Sequence, residues 1–427
     1  MAVTNDPSGR APKLLSRLPA LERAAHHRDD RVAPRPNWVA LGVGVVLAVL
    51  LAWGVSRVTG AILVGASVLG VALGFTLFHA RFGFSSAWRQ LVAVGQGVTL
   101  RAHMLMLAVA SVLFTVLLSG GWSLAGTPHG FVQPVGLALL VGAFLFGVGM
   151  QVGGSCSSGT LFAVGSGQTA IVATLFGFIV GTVLSQASYT FWFVTLPAGP
   201  SISLAKLLGY PAALAISLLV MASIAAVSYR VAARRRPPPV DDPPVALGLA
   251  RIVRGSWPLW VGALVLAGLN AAVLFVTGQP WGVTTAFGLW GSKFLQVLGV
   301  DVAHWAFWRV PTNAAQLRAP VLADRISILD LGIMIGALIA SAAAGAWILH
   351  RRVPWRLALG SVLGGVAMGY GAGLARGCNI GAYFSGIASM SLSGWVWGVM
   401  ALLGTYVGLR LRPLFGLSNP RPSDSVC

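Results

Sequence analysis

The sequence predicts an all-α polytopic membrane protein, an inverted repeat of about nine to ten transmembrane helices with about four short re-entrant helices. Three observations carry that expectation. Hydrophobic residues make up 56% of the 427-residue chain and charged residues 9%, whereas a soluble domain carries roughly a quarter charged residues. The apolar residues come in blocks of about twenty, the length of helix that spans a bilayer core. A glycine-rich motif around a cysteine also occurs twice, as Gly147-Val-Gly149 to Cys156 and Gly159, and as Gly369-Tyr-Gly371 to Cys378 and Gly381.

The chain opens on a polar, basic arm. Arg10, Lys13, Arg17, Arg23, Arg28, Arg31 and Arg35 precede the first apolar block. No short apolar stretch with a small-residue cleavage site stands there, so residues 1–37 read as a disordered cytoplasmic arm and not as a secretory signal. A first membrane repeat is expected over 38–230, with spans near 38–58, 61–80, 102–120, 134–152, 168–192 and 208–230. Residues 231–256 hold an arginine run followed by Pro237, Pro238 and Pro239, and read as a basic linker. A second repeat is expected over 257–411, with spans near 257–277, 328–349, 356–375 and 392–410. A polar tail follows over 412–427, in which Cys427 is a bystander. The segments 82–98, 154–167, 281–298 and 376–390 are too short or too broken by Gly and Ser to cross a bilayer. They read as re-entrant helices, because irregular backbone at membrane depth persists only where protein or a water-filled cavity covers it.

A net charge of +19 would suit nucleic acid, but the basic residues crowd the ends of apolar blocks without interleaved aromatics. The positive-inside rule accounts for that pattern. The expected partner is the lipid bilayer, not nucleic acid. With the basic N-terminus inside, the arginines of 230–236, of 351–352 and of the C-terminal segment also fall inside, and both termini are cytoplasmic. Arg309, Arg318 and Arg325 fall on the other side, against the rule. The two cysteine motifs then follow the fourth and ninth spans, which run in opposite directions. Such an inverted repeat is the build of secondary transporters, which bind substrate near the midplane.

Each cysteine stands at the head of a short segment. If that segment is helical, its free N–H groups and positive dipole end face the pore and favour an anion. Ser155, Ser157, Ser158 and Asn379 add hydrogen-bonding groups, and Gly154 and Gly377 flank them. Gly147, Gly149, Gly369, Gly371 and Gly373 read as close-packing positions. Arg376 adds charge two residues before Cys378, or else snorkels to headgroups; Lys293 has the same two readings. Taken singly, either cysteine is a small packing residue. Their register within matched glycines favours a site. Asp330 is the acid inside an expected span, costly there, and the candidate for proton coupling. The seven histidines show no ligand spacing, so neither a metal nor another cofactor is expected. No nucleotide-binding loop is present, so uptake would draw on a gradient or on consumption inside.

The run Gly371-Ala-Gly373-Leu-Ala-Arg376-Gly377-Cys378-Asn379-Ile-Gly381 resembles the sulfur-transport motif of the YeeE/YedE family, and Gly153-Gly154-Ser155-Cys156-Ser-Ser-Gly159-Thr160 resembles its first-half partner. Pro280-Trp281-Gly282-Val283-Thr284 and Leu289-Trp290-Gly291-Ser292-Lys293 resemble another segment of the longer members. The resemblance implies a bacterial inner-membrane transporter that takes up thiosulfate or a related small sulfur anion, handed along by cysteines lining the path. A cytoplasmic sulfur-accepting protein is a further partner to look for. Some relatives are tied to selenium or to other sulfur chemistry. Family members often carry a cysteine after an Arg-Phe pair in the first re-entrant segment. Here Arg81-Phe82 is followed by Gly83, with Ser85 and Ser86 close by, leaving two thiols with hydroxyls, or a different substrate.

A neutral thiol can donate to the soft sulfur of the ion, whereas a thiolate would repel a dianion. Cys156 and Cys378 are therefore expected to act as successive donors, without a covalent intermediate. The alternative is a membrane sulfur-transferase with a cysteine nucleophile. That chemistry needs a base and an orienting partner, and neither motif contains a histidine or carboxylate. The chain is accordingly read as a transporter, not an enzyme.

Overall fold

The computed structural model describes residues 35–237, 246, 248–349 and 353–420. The expected arm up to residue 34, the centre of the proline-rich linker, the arginines of 351–352 and the last residues with Cys427 lie outside the described residues. Among the described residues ten helices are long and apolar enough to cross a membrane, as the hydropathy blocks predict. The first half runs α1 (Trp38–Val58), α2 (Ala61–Ala80), the short α3 (Phe84–Val94), α4 (Val98–Gly120), α5 (Leu137–Val152), the short α6 (Ser157–Gly165) and α7 (Thr169–Ala187). There follow α8 (Tyr210–Arg235), α9 (Leu259–Thr277), the short α10 (Thr284–Val297), α11 (Arg325–Ala343) and α12 (Trp355–Leu374). The last two are α13, a wide π turn over Asn379–Ser385 continued by Gly386–Ala388, and α14 (Leu392–Leu411). No strand occurs among the described residues; isolated bridges join Pro134 to Ser201 and Ser203 to Ser391.

Local chemistry sets the ends. The Asn37 side chain caps α1, accepting from the Ala40 N–H at 3.1 Å, and Asp324 caps α11, accepting from the Ser327 N–H at 2.8 Å. Pro258 and Pro354 precede α9 and α12, where a missing N–H breaks no helical bond. Gly121 and Gly278 close α4 and α9 in the left-handed conformation.

Lipid is as apolar as leucine, so the bundle is held by close packing of small residues and not by water exclusion. α1 leaves Val39, Val46 and Trp53 exposed and α8 leaves Leu219 and Val227 exposed, which suits a lipid-facing rim. α11 is covered along most of its length, with Leu329, Ile333, Ala337 and Ala340 buried. The inter-helix packing comes in matched pairs. α7 on α12 is matched by α14 on α5, α2 on α11 by α9 on α4, and α1 on α11 by α8 on α4. α6 on α11 is matched by α13 on α4, and α10 on α7 by α3 on α14. Every match moves each helix seven places along the order.

Glycines repeat the pattern in atomic detail. A Cβ at Gly142 would lie 2.6 Å from the Gly371 carbonyl oxygen, and one at Gly149 would lie 2.6 Å from that of Gly364. The seven-place shift exchanges these two pairs. It likewise exchanges Gly147 against the Ala401 carbonyl with Gly369 against the Phe178 carbonyl.

Candidate functional site

Polar cavities open at opposite ends of the bundle. The first, of about 700 Å³, is lined by Arg81, Ser85, Ser86, Arg89, Ser155 and Cys156, and is bordered by the start of α7. The second lies at the other end of α7, where Thr182, Ser185 and Gln186 join Thr284, Thr285 and Arg376 around about 330 Å³. It continues into a space of about 730 Å³ bordered by Gln186, Asn313 and Arg325. Along α7 the step from Ile171 to Ser185 is about 21 Å, so the cavities flank most of an apolar core.

Between them lies a closed polar layer built from the heads of α6 and α13. Cys156 is the N-cap of α6, only 2% exposed. Its Sγ lies 3.7 Å from the Ser158 hydroxyl, and its carbonyl accepts from Thr160 Oγ1 at 2.7 Å. Cys378 is the N-cap of α13 and is fully buried. The Ser157 hydroxyl and the N–H groups of Ile380 and Gly381 face its sulfur, and Cys156 is near enough to interact with it electrostatically. Ser157 Oγ and Asn379 Oδ1 are buried without a hydrogen-bond partner of ordinary length. Asn379 Nδ2 reaches only the Met150 sulfur, at 3.9 Å. The Cys378 carbonyl accepts from the N–H of Ala382 at 2.9 Å and of Tyr383 at 3.3 Å, the wide turn that π-helical segments make at many functional sites.

Polar ties fix the short helices. The Gln151 amide donates to the Ser85 carbonyl at 3.1 Å, joining α5 to α3. Asn270 of α9 donates to Ser385 at 3.2 Å and accepts from the Trp281 N–H at 3.0 Å. Ser385 in turn donates to the Trp281 carbonyl at 2.9 Å. That cycle joins α9, α13 and the approach to α10.

The backbone at the mouths is unusual. Arg376 holds φ +55° and Gly154, in the same register before its cysteine, holds φ +76°. Arg81 ends α2 at φ +47° and Gly278 ends α9 at φ +71°. Glycine is the residue that such a conformation favours, and an arginine there costs roughly 1 kcal/mol or more. Each mouth therefore has one left-handed glycine or glycine-like turn and one left-handed arginine: Gly154 with Arg81, and Gly278 with Arg376. The Arg376 guanidinium lies over the Phe193 ring at 4.5 Å.

Sequence reasoning missed Arg89. It lines the first cavity, and its charge acts on another cation, Arg412. Arg412 donates to the Gln151 carbonyl at 2.7 Å and to the Ser418 carbonyl at 3.0 Å. Among the described residues no carboxylate lines the first cavity. The only sequence signal for Arg89 was a charge within a short apolar segment. Of the residues expected at the site, Gly154, Ser155, Cys156 and Ser85 line the first cavity, and Arg376 lines the second. Ser157, Ser158, Gly377, Cys378 and Asn379 are buried in the layer between. Lys293 and Asp330 stand apart. The Lys293 ammonium donates to the carbonyls of Leu317 and Ala319 at 2.8 and 2.7 Å, anchoring the segment before α11. Asp330 is fully buried in α11. Among the described residues no cluster of His, Cys, Asp or Glu could hold a metal.

A ten-helix membrane bundle with cationic cavities at both ends and a closed polar layer between them has the architecture of a transporter. The chain belongs to the sulphur-transport family, whose model matches residues 79–407. It is 24% identical over 363 residues to the thiosulfate transporter TsuA of Spirochaeta thermophila, covering 79% of this chain and 96% of that protein. It is 25% identical over 355 residues to the TsuA of Escherichia coli K12, covering 79% of this chain and 91% of that one. A shorter match, 31% identical over 159 residues, joins it to the probable transporter YedE of the same organism, of which it spans 38%.

Proposed function

We propose that this protein carries thiosulfate, or a related small sulfur-containing anion, across the bacterial inner membrane, with Cys156 and Cys378 as successive thiol donors. The observation that carries the reading is the Cys156–Ser157–Cys378 group, which begins at the wall of the first cavity with Cys156 and continues into the buried layer between two arginine-bearing cavities. Arg81 and Arg89 draw an anion to one mouth, and Arg376 to the other. Ser85, Ser155, Ser158 and Asn379 supply hydrogen bonds along the way. Asn379 Oδ1, buried without a partner, and Ser157 Oγ, which has only the Cys378 sulfur facing it, are groups that a passing ligand or a shifted rotamer would satisfy. Lys293 is left out of this path because carbonyls hold its ammonium.

The four short helices are read as re-entrant, and the chain as an inverted repeat. The seven-place pairing of helix contacts and the exchanged glycine pairs support that reading. The same pairing sets α8 with α1, so we put the division between repeats in segment 188–209, not after 230. The α3–α6 mouth is assigned to the cytoplasm with both termini, on the distribution of arginines. A transferase would need a base beside a cysteine. Among the described residues, the groups that act on Cys378 are hydroxyl, backbone N–H and thiol, which favours carriage over chemistry.

The test is uptake of labelled thiosulfate by proteoliposomes holding wild type, Cys156→Ser or Cys378→Ser. Serine keeps a donor and loses the soft sulfur, so each variant is expected to lose at least tenfold in uptake. Wild-type rates in both variants would refute the thiol relay. A persulfide or S-thiosulfonate found on either cysteine after turnover would refute the non-covalent path.

A further inference from the structure

Two buried ionisable side chains stand at the same place in the two halves of the packing pattern. His103 is the sixth residue of α4 and Asp330 the sixth of α11, and the shift that pairs the helix contacts carries α4 onto α11. Both side chains are fully buried. Neither ring nitrogen of His103 and neither carboxylate oxygen of Asp330 has a hydrogen-bond partner. Unpaired polar atoms are costly at membrane depth, and two such costs at matched positions require an account.

His103 lies beside a short helix, and the helix that carries Asp330 is tied to one near its first turn. His103 stacks on Phe84 of α3 with ring centroids 4.5 Å apart, and Phe82 meets it edge-on at 4.8 Å. α10 is tied to the first turn of α11 by Trp290, which donates to the Ser327 hydroxyl at 2.9 Å. Among the described residues no charged side chain from a packed element acts on His103. Asp330 is acted on by Asp324 and Arg325, at the head of its own helix, and, among the described residues, by no charged group of the helices packed against it.

We propose that His103 and Asp330 are two proton-carrying sites, one in each repeat, so that two protons accompany one dianion. The proposal rests on the transport reading above. A dianion entering a negative interior moves two charges against the potential. Two protons cancel both charges and leave the pH gradient to drive uptake. A covered site disfavours an unpaired charge, so Asp330 holds its proton as the neutral acid, whereas His103 holds its proton as imidazolium only while the dianion is present to offset that charge. Proton gain and loss at both sites follow movement of the adjoining short helix. α3 brings Ser85 and Ser86 to the first cavity, and α10 brings Thr284 and Thr285 to the second. Anion entry and proton exchange thus share a moving part at each mouth.

The experiment is uptake of labelled thiosulfate into proteoliposomes, with the potential clamped by potassium and valinomycin and the pH gradient set independently. Wild-type accumulation is expected to follow the pH gradient and to ignore the potential. His103→Gln and Asp330→Asn each leave one charge uncompensated. Their accumulation should fall about 50-fold at an inside-negative 100 mV relative to zero potential, and that of the double variant about 2,500-fold. Wild-type uptake that responds to potential and ignores the pH gradient overturns the proposal without any variant. Potential-insensitive uptake by both single variants also overturns it. Failure of the wild type to take up thiosulfate under any gradient would overturn the transport reading instead.

Discussion

Gly371→Ala tests the crossing where α5 meets α12. A Cβ at Gly371 would lie 2.5 Å from the Gly142 carbonyl oxygen and 2.7 Å from the Phe146 amide nitrogen. Both are backbone atoms of α5, so no side chain can swing aside. A relaxed carbon–oxygen contact is about 3.3 Å, and the helices must part by about 0.8 Å. A gap of that size forfeits a quarter to a half of the dispersion attraction along the seam. Overpacking costs about 1–3 kcal/mol, offset by about 1 kcal/mol of helix propensity, for a net loss of up to about 2 kcal/mol. Equilibrium unfolding in mild detergent measures it. Gly142→Ala loads the same seam from the other side, with its Cβ 2.6 Å from the Gly371 oxygen. Once the helices have parted, the second Cβ finds room, so the double variant should lose about 1 kcal/mol less than the sum. Gly268→Ala is the control, since nothing lies within 4 Å of its added Cβ. If Gly371→Ala matched Gly268→Ala in stability, or if the pair proved additive, the close crossing would be wrong.

Two further outcomes are expected. Arg89→Met removes a cation whose charged neighbour is Arg412, so stability in detergent should hold or rise. The KM for thiosulfate from that mouth should rise about tenfold, from loss of a charge-assisted hydrogen bond, and should depend less on salt. Arg376→Gly keeps the left-handed turn and removes both its strain and the charge. It should raise the melting temperature and lower uptake, whereas Arg376→Ala lowers uptake without the gain in stability.

The ten long helices were legible because hydropathy reads the solvent, and lipid demands about twenty apolar residues per crossing. Their edges shifted where capping, not hydropathy, decides: α11 begins at Arg325 because Asp324 caps it, three residues before the expected start at 328. The cysteine-centred repeat was legible because both copies keep the glycines that let α5 and α12 touch. Arg89 was not legible, because its significance depends on Arg412, which lies far along the chain. His103 gave only a weak signal. A lone histidine near a span edge becomes notable when the pairing of α4 with α11 gives it the position that Asp330 holds in the other half. Lys293 had two readings in sequence, and the carbonyls of Leu317 and Ala319 that hold it belong to a segment whose path hydropathy does not specify.

The sequence by itself determined the class of molecule, the number of apolar helices and the two glycine frames around Cys156 and Cys378. These depend on composition and local spacing, which act through lipid solvation and backbone sterics over a few residues. Only the tertiary structure decided which polar groups share a cavity, which are sealed between cavities and which lie apart. Those relations are set by helix crossings, where a glycine facing a carbonyl fixes the approach of residues more than two hundred positions apart in the chain.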